Sequence, residues 1–455
     1  MNAVLLAIVG YVLAQFAVGA WVSRRMSTAS DYILAGRKLG PGLVFFSVFA
    51  TFFGAEAIVA TGGSVYEKGL AGALVDPFGY ALAIVVVGLL FAGALWSRGI
   101  TTFADLFRQR YSPGVERLVV LVLLPGSIFW AAAQLRAFGQ VMDANSGMGL
   151  RTAIVVAAVL VAGYSVVGGL LADAVTDLIQ GMVVLAGLVI LGTVVAIHAG
   201  GVSQVVSHTD SARLVLIDPE DGLLGTLESL AVPICGTIVA VEIISRFLGA
   251  RSANVAAVGT VAAGFVYLAV GMIPVFLGLA AAQLLPNVPE TEQTVARLAE
   301  MHLPGLLYIA FVGAIISANL SVVHSALHAP AAQLSHNIVV RVVTGLSDAT
   351  KLWTARLTVL ALSIVAFVLA FTSEGIHELI ENASAFGSAG VFVATLFALF
   401  TTFGGPASAY TSIAAGMIVW LVGRFGLGLA TPYLLGLSAA LIGYVGVALI
   451  ERRRQ

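Results

Sequence analysis

The chain has 455 residues, of which 60% are hydrophobic and only 10% are charged, and its mean hydropathy is +1.03. Soluble domains average about 45–50% apolar and about 25% charged residues, so this composition excludes an ordinary soluble protein. The net charge of −1 offers no basic surface for a nucleic acid, and no partner protein is evident. We therefore predict a multi-pass protein of the cell (inner or plasma) membrane, in contact with the lipid bilayer.

Apolar runs long enough to cross a membrane recur through the whole chain. About 20 apolar residues in a helix span a hydrocarbon core of about 30 Å, and the alternating pattern of a membrane β-barrel is absent. We predict an all-α integral membrane fold with about thirteen transmembrane helices, near residues 3–22, 43–64, 72–97, 115–141, 152–168, 172–198, 223–246, 254–284, 304–334, 355–371, 376–401, 408–426 and 431–450.

The orientation follows from the distribution of Lys and Arg, which favour the cytoplasmic side. If the tail Arg452–Arg454 is cytoplasmic, that side also holds Arg24, Arg25, Arg37, Lys38, Arg98, Arg108, Arg110, Arg117, Arg246, Arg251, Arg341, Lys351 and Arg356. The opposite loops hold only Lys68, Arg151, Arg213, Arg297 and Arg424. With thirteen spans, we predict an N-terminus outside and a C-terminus in the cytoplasm.

No connection between the spans is long enough for a soluble domain. The longest connections, roughly 199–222, 286–303 and 336–354, have about twenty residues each. Any function must therefore reside in the membrane region, and we predict that the protein is not an enzyme.

Two of the predicted spans contain residues that interrupt helices. SVFATFFGAEAIVATGG (47–63) carries Gly54, and ESLAVPICGTIVAVE (228–242) carries Pro233 and Gly236. Irregular backbone at membrane depth is tolerated where it lines a cavity, and a pair of such segments at matching positions indicates a transporter with inverted repeats. The alternative is that these residues serve only close helix packing.

This interpretation predicts four regions. They are an extra N-terminal helix and loop (1–40), a first inverted repeat (41–198), a second inverted repeat (223–401), and two C-terminal helices with a short basic tail (402–455).

The stretch YSVVGGLLADAVTDLIQ (164–180) resembles the GGLxAxxxTDxxQ signature of the sodium:solute symporter family, with Asp173 where an alanine or valine is usual. DYILAGRKLG (31–40) and GAIISANLSVVHSALH (313–328) resemble further segments of that family in the same order. RGITTFADLFRQRYS (98–112) and GSIFWAAAQLRAFG (126–139) are similar to its choline-transporter subgroup. The resemblance implies a LeuT-like core of five plus five inverted helices and secondary transport by alternating access.

The resemblance also implies a sodium site between the first broken helix and the eighth core helix. Its ligands would be the carbonyl oxygens of Ala50, Phe53 and Ala314 and the hydroxyl of Ser317, since Na⁺ prefers about five or six hard oxygen ligands. The next hydroxyl that the family uses is replaced here by Ala318.

Asp177 in the TDLIQ motif is a carboxylate inside a membrane helix, which is costly unless it meets a cation or a relay partner. The family implies a further sodium position formed by Asp177 with Ser317 and Ser321, which lie one helical turn apart. Serines in membrane helices also bond to their own helix backbone. Because Ala318 removes one ligand and His324 can titrate near physiological pH, coupling to H⁺, or no coupling, remains an alternative to Na⁺.

Phe52, Tyr80 and Trp130 occupy aromatic positions that, in the choline-transporter subgroup, help to enclose a quaternary ammonium group. Ring faces attract such cations. The aromatic residue expected from the second broken helix is replaced by Ala240.

Three ionisable residues fall within apolar spans, where charges face a cavity or each other. They are Glu56, Glu242 and Arg136; the arginine either pairs with a glutamate or receives a substrate carboxylate as a bidentate fork. We predict a small-molecule solute that is a quaternary amine, a zwitterion or an organic acid, with His324 also facing it. A sensor that binds the solute without transporting it is the alternative from a different functional class.

Overall fold

The computed structural model describes residues 3–24, 28–218, 221–285, 287–288, 291–343, 345–373 and 383–453. Over these ranges the chain is helical and forms no β-sheet, and an isolated bridge joins Leu39 to Ala250. The predicted all-α membrane fold is confirmed.

The helices, in chain order, are α1 (Ala3–Ser23), α2 (Ala29–Leu34), α3 (Pro41–Phe52), α4 (Ala55–Lys68), α5 (Tyr80–Val86), α6 (Gly93–Ser97), α7 (Ala104–Arg110), α8 (Pro113–Ser146), α9 (Leu150–Val167), α10 (Leu170–His198), α11 (Val202–His208), α12 (Gly222–Val239), α13 (Val241–Leu248), α14 (Ala253–Leu284), α15 (Thr294–His302), α16 (Gly305–Leu334), α17 (Val340–Val342), α18 (Asp348–Thr372), α19 (Ser388–Phe400), α20 (Pro406–Leu421) and α21 (Pro432–Arg453). Wider π turns at Leu74–Gly79 and Val87–Ala92 connect the helices around α5.

Ten helical stretches of the described chain are long and apolar enough to cross a membrane, and three shorter apolar helices accompany them. One of the ten, Ala55–Ser97, is not a single rod, because Gly69 (φ 66°, ψ −150°) and Asp76 (φ −131°, ψ 117°) leave helical geometry. It therefore contains the end of predicted span 43–64 and all of span 72–97. The first residues of predicted span 376–401 lie outside the described ranges.

Both predicted interruptions are present as breaks in the helices. Between α3 and α4, Phe53 (φ −89°, ψ 69°) and Gly54 leave the helical conformation. Between α12 and α13 the break is at Ala240 (φ −66°, ψ 118°), whereas Pro233 lies inside α12. Carbonyl oxygens at the end of each first half therefore lack the N–H donors that a continuing helical turn would supply.

Small residues let the helices around these breaks approach closely. A Cβ on Gly62 of α4 would lie 2.3 Å from Val295, and a Cβ on Gly278 of α14 would lie 2.6 Å from the carbonyl oxygen of Gly62. On the outer surface of the bundle, large apolar side chains such as Leu89, Val159 and Phe265 are exposed, as expected where lipid replaces water.

Candidate functional site

A cavity with about 700 Å³ of empty space lies beside both helix breaks. Its walls come from the α3–α4 junction, the segment before α5, α5, α8, the α12–α13 junction, α14 and the residues just before α19. A site enclosed by this many helices, with irregular backbone on two sides, is where a broken-helix transporter binds its solute.

Aromatic rings form one wall of this cavity. The centroid of the Phe52 ring is 5.6 Å from that of Trp130 and 5.9 Å from that of Tyr80, and Tyr267 of α14 also lines the space. The three aromatic residues predicted from the sequence are therefore brought together, and Tyr267 adds a ring that the sequence did not single out. Such ring faces can surround a cation.

Three carboxylates share the same cavity. Glu56 accepts a hydrogen bond from Gln134 Nε2 at 2.8 Å, and Asp76 accepts one from the Tyr267 hydroxyl at 3.0 Å. Glu242 is buried at the second break, and its Oε1 has no hydrogen-bond partner among the described residues. No Lys or Arg of the described chain lines the space, so the described lining offers no basic group to an anionic solute.

The structure does not bring Arg136 or His324 to this cavity. Arg136 lies on another face of α8, where its Nη1 donates to the carbonyl oxygen of Ala370 at 3.1 Å. His324 lies against α10, with its Nδ1 2.7 Å from Asp173 Oδ1. Neither side chain is among those that line the cavity, in contrast to their predicted contact with solute.

A separate cluster of buried oxygen atoms lies between α3, α10 and α16. Asp177 accepts hydrogen bonds from Ser47 Oγ at 2.7 Å and from Ser321 Oγ, and Ser321 Oγ lies 3.4 Å from the carbonyl oxygen of Ala50. Ser47, Asp177 and Ser321 are fully buried. A carboxylate, two hydroxyls and a backbone carbonyl are hard oxygen donors of the kind that Na⁺ takes.

The other predicted sodium ligands surround this cluster less directly. Phe53 is the residue at the break itself, and Ala314 lies on α16, where it faces Gly187 of α10. The Ser317 hydroxyl is 2.5 Å from the hydroxyl of Tyr11 on the extra N-terminal helix. A sodium ion at Ser317 would therefore compete with, or share, this contact to α1.

An ionic cluster that the sequence did not single out lies next to the oxygen cluster. Arg246 of α13 pairs with Asp173 of α10, donates from Nε to Thr51 Oγ1 at 3.0 Å, and bonds Ser325. Arg246 is 1% exposed, so its placement among the basic residues outside the membrane region was wrong. The sequence contained one indication of this cluster: Asp173, a carboxylate at a position where the family signature usually has alanine or valine, requires a buried cation as its partner.

Comparison with known proteins places this arrangement in a family. The model of the sodium:solute symporter family matches residues 32–413 of the chain. The chain belongs to the sodium:solute symporter family. The predicted family assignment is confirmed over most of the sequence.

The chain is similar to several proteins whose names describe them as transporters. The human high affinity choline transporter 1 is 27% identical over 404 residues, covering 82% of this chain and 69% of the relative. The high-affinity proline transporter of Bacillus subtilis (strain 168) is 25% identical and covers 78% of each chain. The sodium/glucose cotransporter of Vibrio parahaemolyticus is 29% identical, over 65% of this chain and 58% of the relative.

Solved structures show the same fold. A substrate-bound, outward-open Na⁺-coupled sialic acid symporter superposes with a TM-score of 0.85, covering 98% of this chain and 97% of the other at 18% identity. A nucleobase-cation-symport-1 family transporter superposes with a TM-score of 0.65, covering 93% and 94% at 17% identity. The predicted LeuT-like architecture of this family member is therefore confirmed.

Proposed function

We propose that this protein is a Na⁺-coupled symporter of a small organic cation, such as a quaternary amine. The observation that carries the proposal is the composition of the cavity, in which Glu56, Asp76 and Glu242 line the space together with aromatic rings. Burying an ionised carboxylate without a cation costs free energy. The described lining contains no Lys or Arg, so a cationic solute would supply the positive charge that these carboxylates need.

The absence of Arg136 from the cavity wall supports a cation over the other solute classes left open by the sequence. An organic acid would have to approach three carboxylates without a basic residue from the described lining. A zwitterion would gain from the rings at its ammonium end but be repelled at its own carboxylate. A cation gains from both the carboxylates and the rings of Phe52, Tyr80 and Trp130.

For the coupling ion we propose the oxygen cluster around Asp177. Its ligands would be Asp177, Ser321 and the carbonyl of Ala50, with Phe53, Ala314 and Ser317 completing the site. Ser47 lies 2.7 Å from Asp177 and is an additional hydroxyl in place of the one lost at Ala318. Binding of Na⁺ at the end of α3 stabilises the conformation that accepts solute, and this linkage couples the two gradients.

The test is thermal stabilisation of the purified protein by a panel of solutes, each in NaCl and in KCl at equal ionic strength. Choline, betaine, proline and a short organic acid sample the three classes. We expect choline-like cations to raise the unfolding temperature most, and more in Na⁺ than in K⁺. Stabilisation by the organic acid with none by the cations would contradict the cation assignment.

Matched variants locate the effect in the cavity. Glu242→Gln should reduce the stabilisation by choline, whereas Glu300→Gln removes an exposed carboxylate on α15 and should not. Equal losses in both variants would mean that the solute does not bind where we propose.

A second candidate, an H⁺-coupled carrier, is favoured by the buried contact between His324 Nδ1 and Asp173 Oδ1 at 2.7 Å. A pH gradient would then drive uptake into proteoliposomes without Na⁺. His324→Gln would abolish that uptake, while Na⁺-driven uptake insensitive to the pH gradient would reject this candidate.

A further inference from the structure

A pocket with basic walls lies at the end of the bundle that is predicted to face the cytoplasm. About 980 Å³ of empty space opens between the α7–α8 junction and the segment that joins α16 to α18. Arg108, Arg117, Arg341 and Lys351 line it, and no carboxylate of the described chain does so. The pocket shares no lining residue with the cavity beside the helix breaks, although α8 contributes to both.

Two of its cations are held in position by buried carboxylates behind the wall. Arg341 donates from Nη2 to Asp105 Oδ1 at 2.7 Å and lies 3.2 Å from Glu116 through Nε, and Arg108 Nη1 lies 3.2 Å from Glu116 Oε2. Asn337 Nδ2 donates to both carboxylates at 2.8 Å. The guanidinium groups are thus oriented before any ligand arrives, which lowers the cost of binding.

The carboxylate of Asp105 remains ionised in this network. Burial alone would raise its pKa, but a hydrogen bond and the charge of His336, together with the backbone N–H groups of Thr102 and Thr101, hold that pKa well below its usual range. The ion pair with Arg341 therefore persists at neutral pH.

The other two cations are more available. Arg117 is exposed and forms no ion pair within the described ranges. Lys351 Nζ is 3.1 Å from Asp348, whose side chain is 65% exposed, and an exposed pair of this kind contributes little. Both side chains can turn toward an anion in the pocket.

We propose that this pocket binds a phosphate group, supplied by the head group of an anionic phospholipid. Fixed guanidinium groups match phosphate oxygens in geometry and charge. Basic pockets between membrane helices on the cytoplasmic side are suited to such head groups.

The surface beside the pocket favours a lipid over free phosphate. Val343 lines the pocket and is exposed, as is Val342 next to Arg341. Trp353 lies about 200° around α18 from Lys351, outside the pocket wall, and is 58% exposed; tryptophan at the end of a membrane helix is typical of the membrane–water interface. A phospholipid would place its phosphate among the cations and its acyl chains along Val342 and Val343, whereas a free phosphate would leave these two side chains uncovered.

Native mass spectrometry and thermal unfolding of the purified, delipidated protein test this proposal. The additives are phosphatidylglycerol, phosphatidylcholine and inorganic phosphate, with sodium chloride to match the ionic strength. The pocket variant is Arg117→Gln with Lys351→Gln. The control is Arg297→Gln with Arg424→Gln, which removes two cations from the opposite end. Arg117→Lys with Lys351→Arg keeps the charge.

We expect phosphatidylglycerol to be retained and to stabilise the wild type more than phosphatidylcholine does. The pocket variant should bind it roughly 5- to 30-fold more weakly, since each cation near anionic lipid contributes about 1 kcal/mol, while the control and charge-keeping variants should bind it normally. Equal retention by the pocket and control variants would overturn the proposal. Stabilisation by inorganic phosphate that matches that of the lipid and is lost in the pocket variant would overturn the lipid assignment.

Discussion

Replacing Asp177 by asparagine should weaken Na⁺ binding while leaving the shape of the oxygen cluster nearly unchanged. The carboxylate is fully buried and holds Ser47 and Ser321 in place. Asparagine keeps one oxygen of similar geometry but removes the negative charge. The variant therefore isolates the charge from the packing.

The size of the effect follows from Coulomb's law. Two unit charges about 4 Å apart interact with about 4 kcal/mol at an effective dielectric constant of about 20. Part of this is offset, because the variant no longer has to bury a carboxylate. If half remains, about 2 kcal/mol is lost, which corresponds to a roughly 30-fold weaker affinity for Na⁺.

The assay is the NaCl concentration that gives half-maximal thermal stabilisation, measured with KCl added to constant ionic strength. Glu67→Gln, which removes an exposed carboxylate at the end of α4, is the control for net charge. An unchanged midpoint concentration in Asp177→Asn, with a folded protein that still binds solute, would refute the assignment of the ion to this cluster.

Three further predictions test other parts of the structure. Trp130→Ala should raise the KM for a choline-like solute roughly 2- to 30-fold, since one cation–π contact contributes about 0.5–2 kcal/mol; uptake that keeps its KM would place the solute elsewhere. Arg246→Met should destabilise the protein by up to about 3–5 kcal/mol, because the buried carboxylate of Asp173 loses its guanidinium partner and keeps only the contact with His324; thermal unfolding should show recovery in the double variant with Asp173→Ala, and no recovery would argue against the pair. Asp105→Asn should lower the unfolding temperature by a constant amount between pH 7 and about pH 4, and by a smaller amount below pH 4. The reason is that a carboxyl group with a depressed pKa contributes stability above its ordinary pKa of about 3.9 and loses that contribution as the pH falls further. A difference in unfolding temperature between variant and wild type that does not change with pH would mean that the ion pair contributes nothing.

The fold followed from the sequence to a large degree because its determinants are local. Apolar length predicts a membrane helix, and the stretch around Gly54 was interrupted as expected. The second break, however, lies at Ala240 and not at Pro233 or Gly236. Proline inside a membrane helix is tolerated when neighbouring helices compensate for its missing hydrogen bond, and a single sequence does not show such compensation.

The site was predictable only where helix periodicity or family resemblance applied. At about 100° per residue, Gln134 lies about 40° from Trp130 on α8, whereas Arg136 lies about 120° away. Periodicity alone therefore assigns Gln134 to the same face of α8 as Trp130 and Arg136 to a different face, and the structure shows that Gln134 contacts Glu56. The positive charge of Arg136 made it a candidate for binding a solute carboxylate. Its angle of about 120° from Trp130 around α8 excludes it from the face that carries Trp130.

Other site residues depend on contacts that no local pattern encodes. Asp76 reaches the cavity because the backbone leaves helical geometry at that residue within the π turn Leu74–Gly79. Arg246 appeared in the sequence as one more basic residue near a helix end, and only its distant partner Asp173 makes its burial possible. The backbone conformation at Asp76 and the partner of Arg246 both become visible only in the folded structure.

The hydrogen bond between Tyr11 and Ser317 has a consequence for how the protein is made. The two residues are separated by 306 positions, so at about 5–20 residues per second α1 is synthesised roughly 15–60 s before α16. During that interval Gln15 Nε2 can donate to the Tyr11 hydroxyl, as it does at 2.7 Å in the folded protein, which gives each side chain one polar partner within the same helix. The first helix can thus enter the membrane and pack against α8, α9 and α10 before α16 is made, and its bond to Ser317 is the contact that forms last.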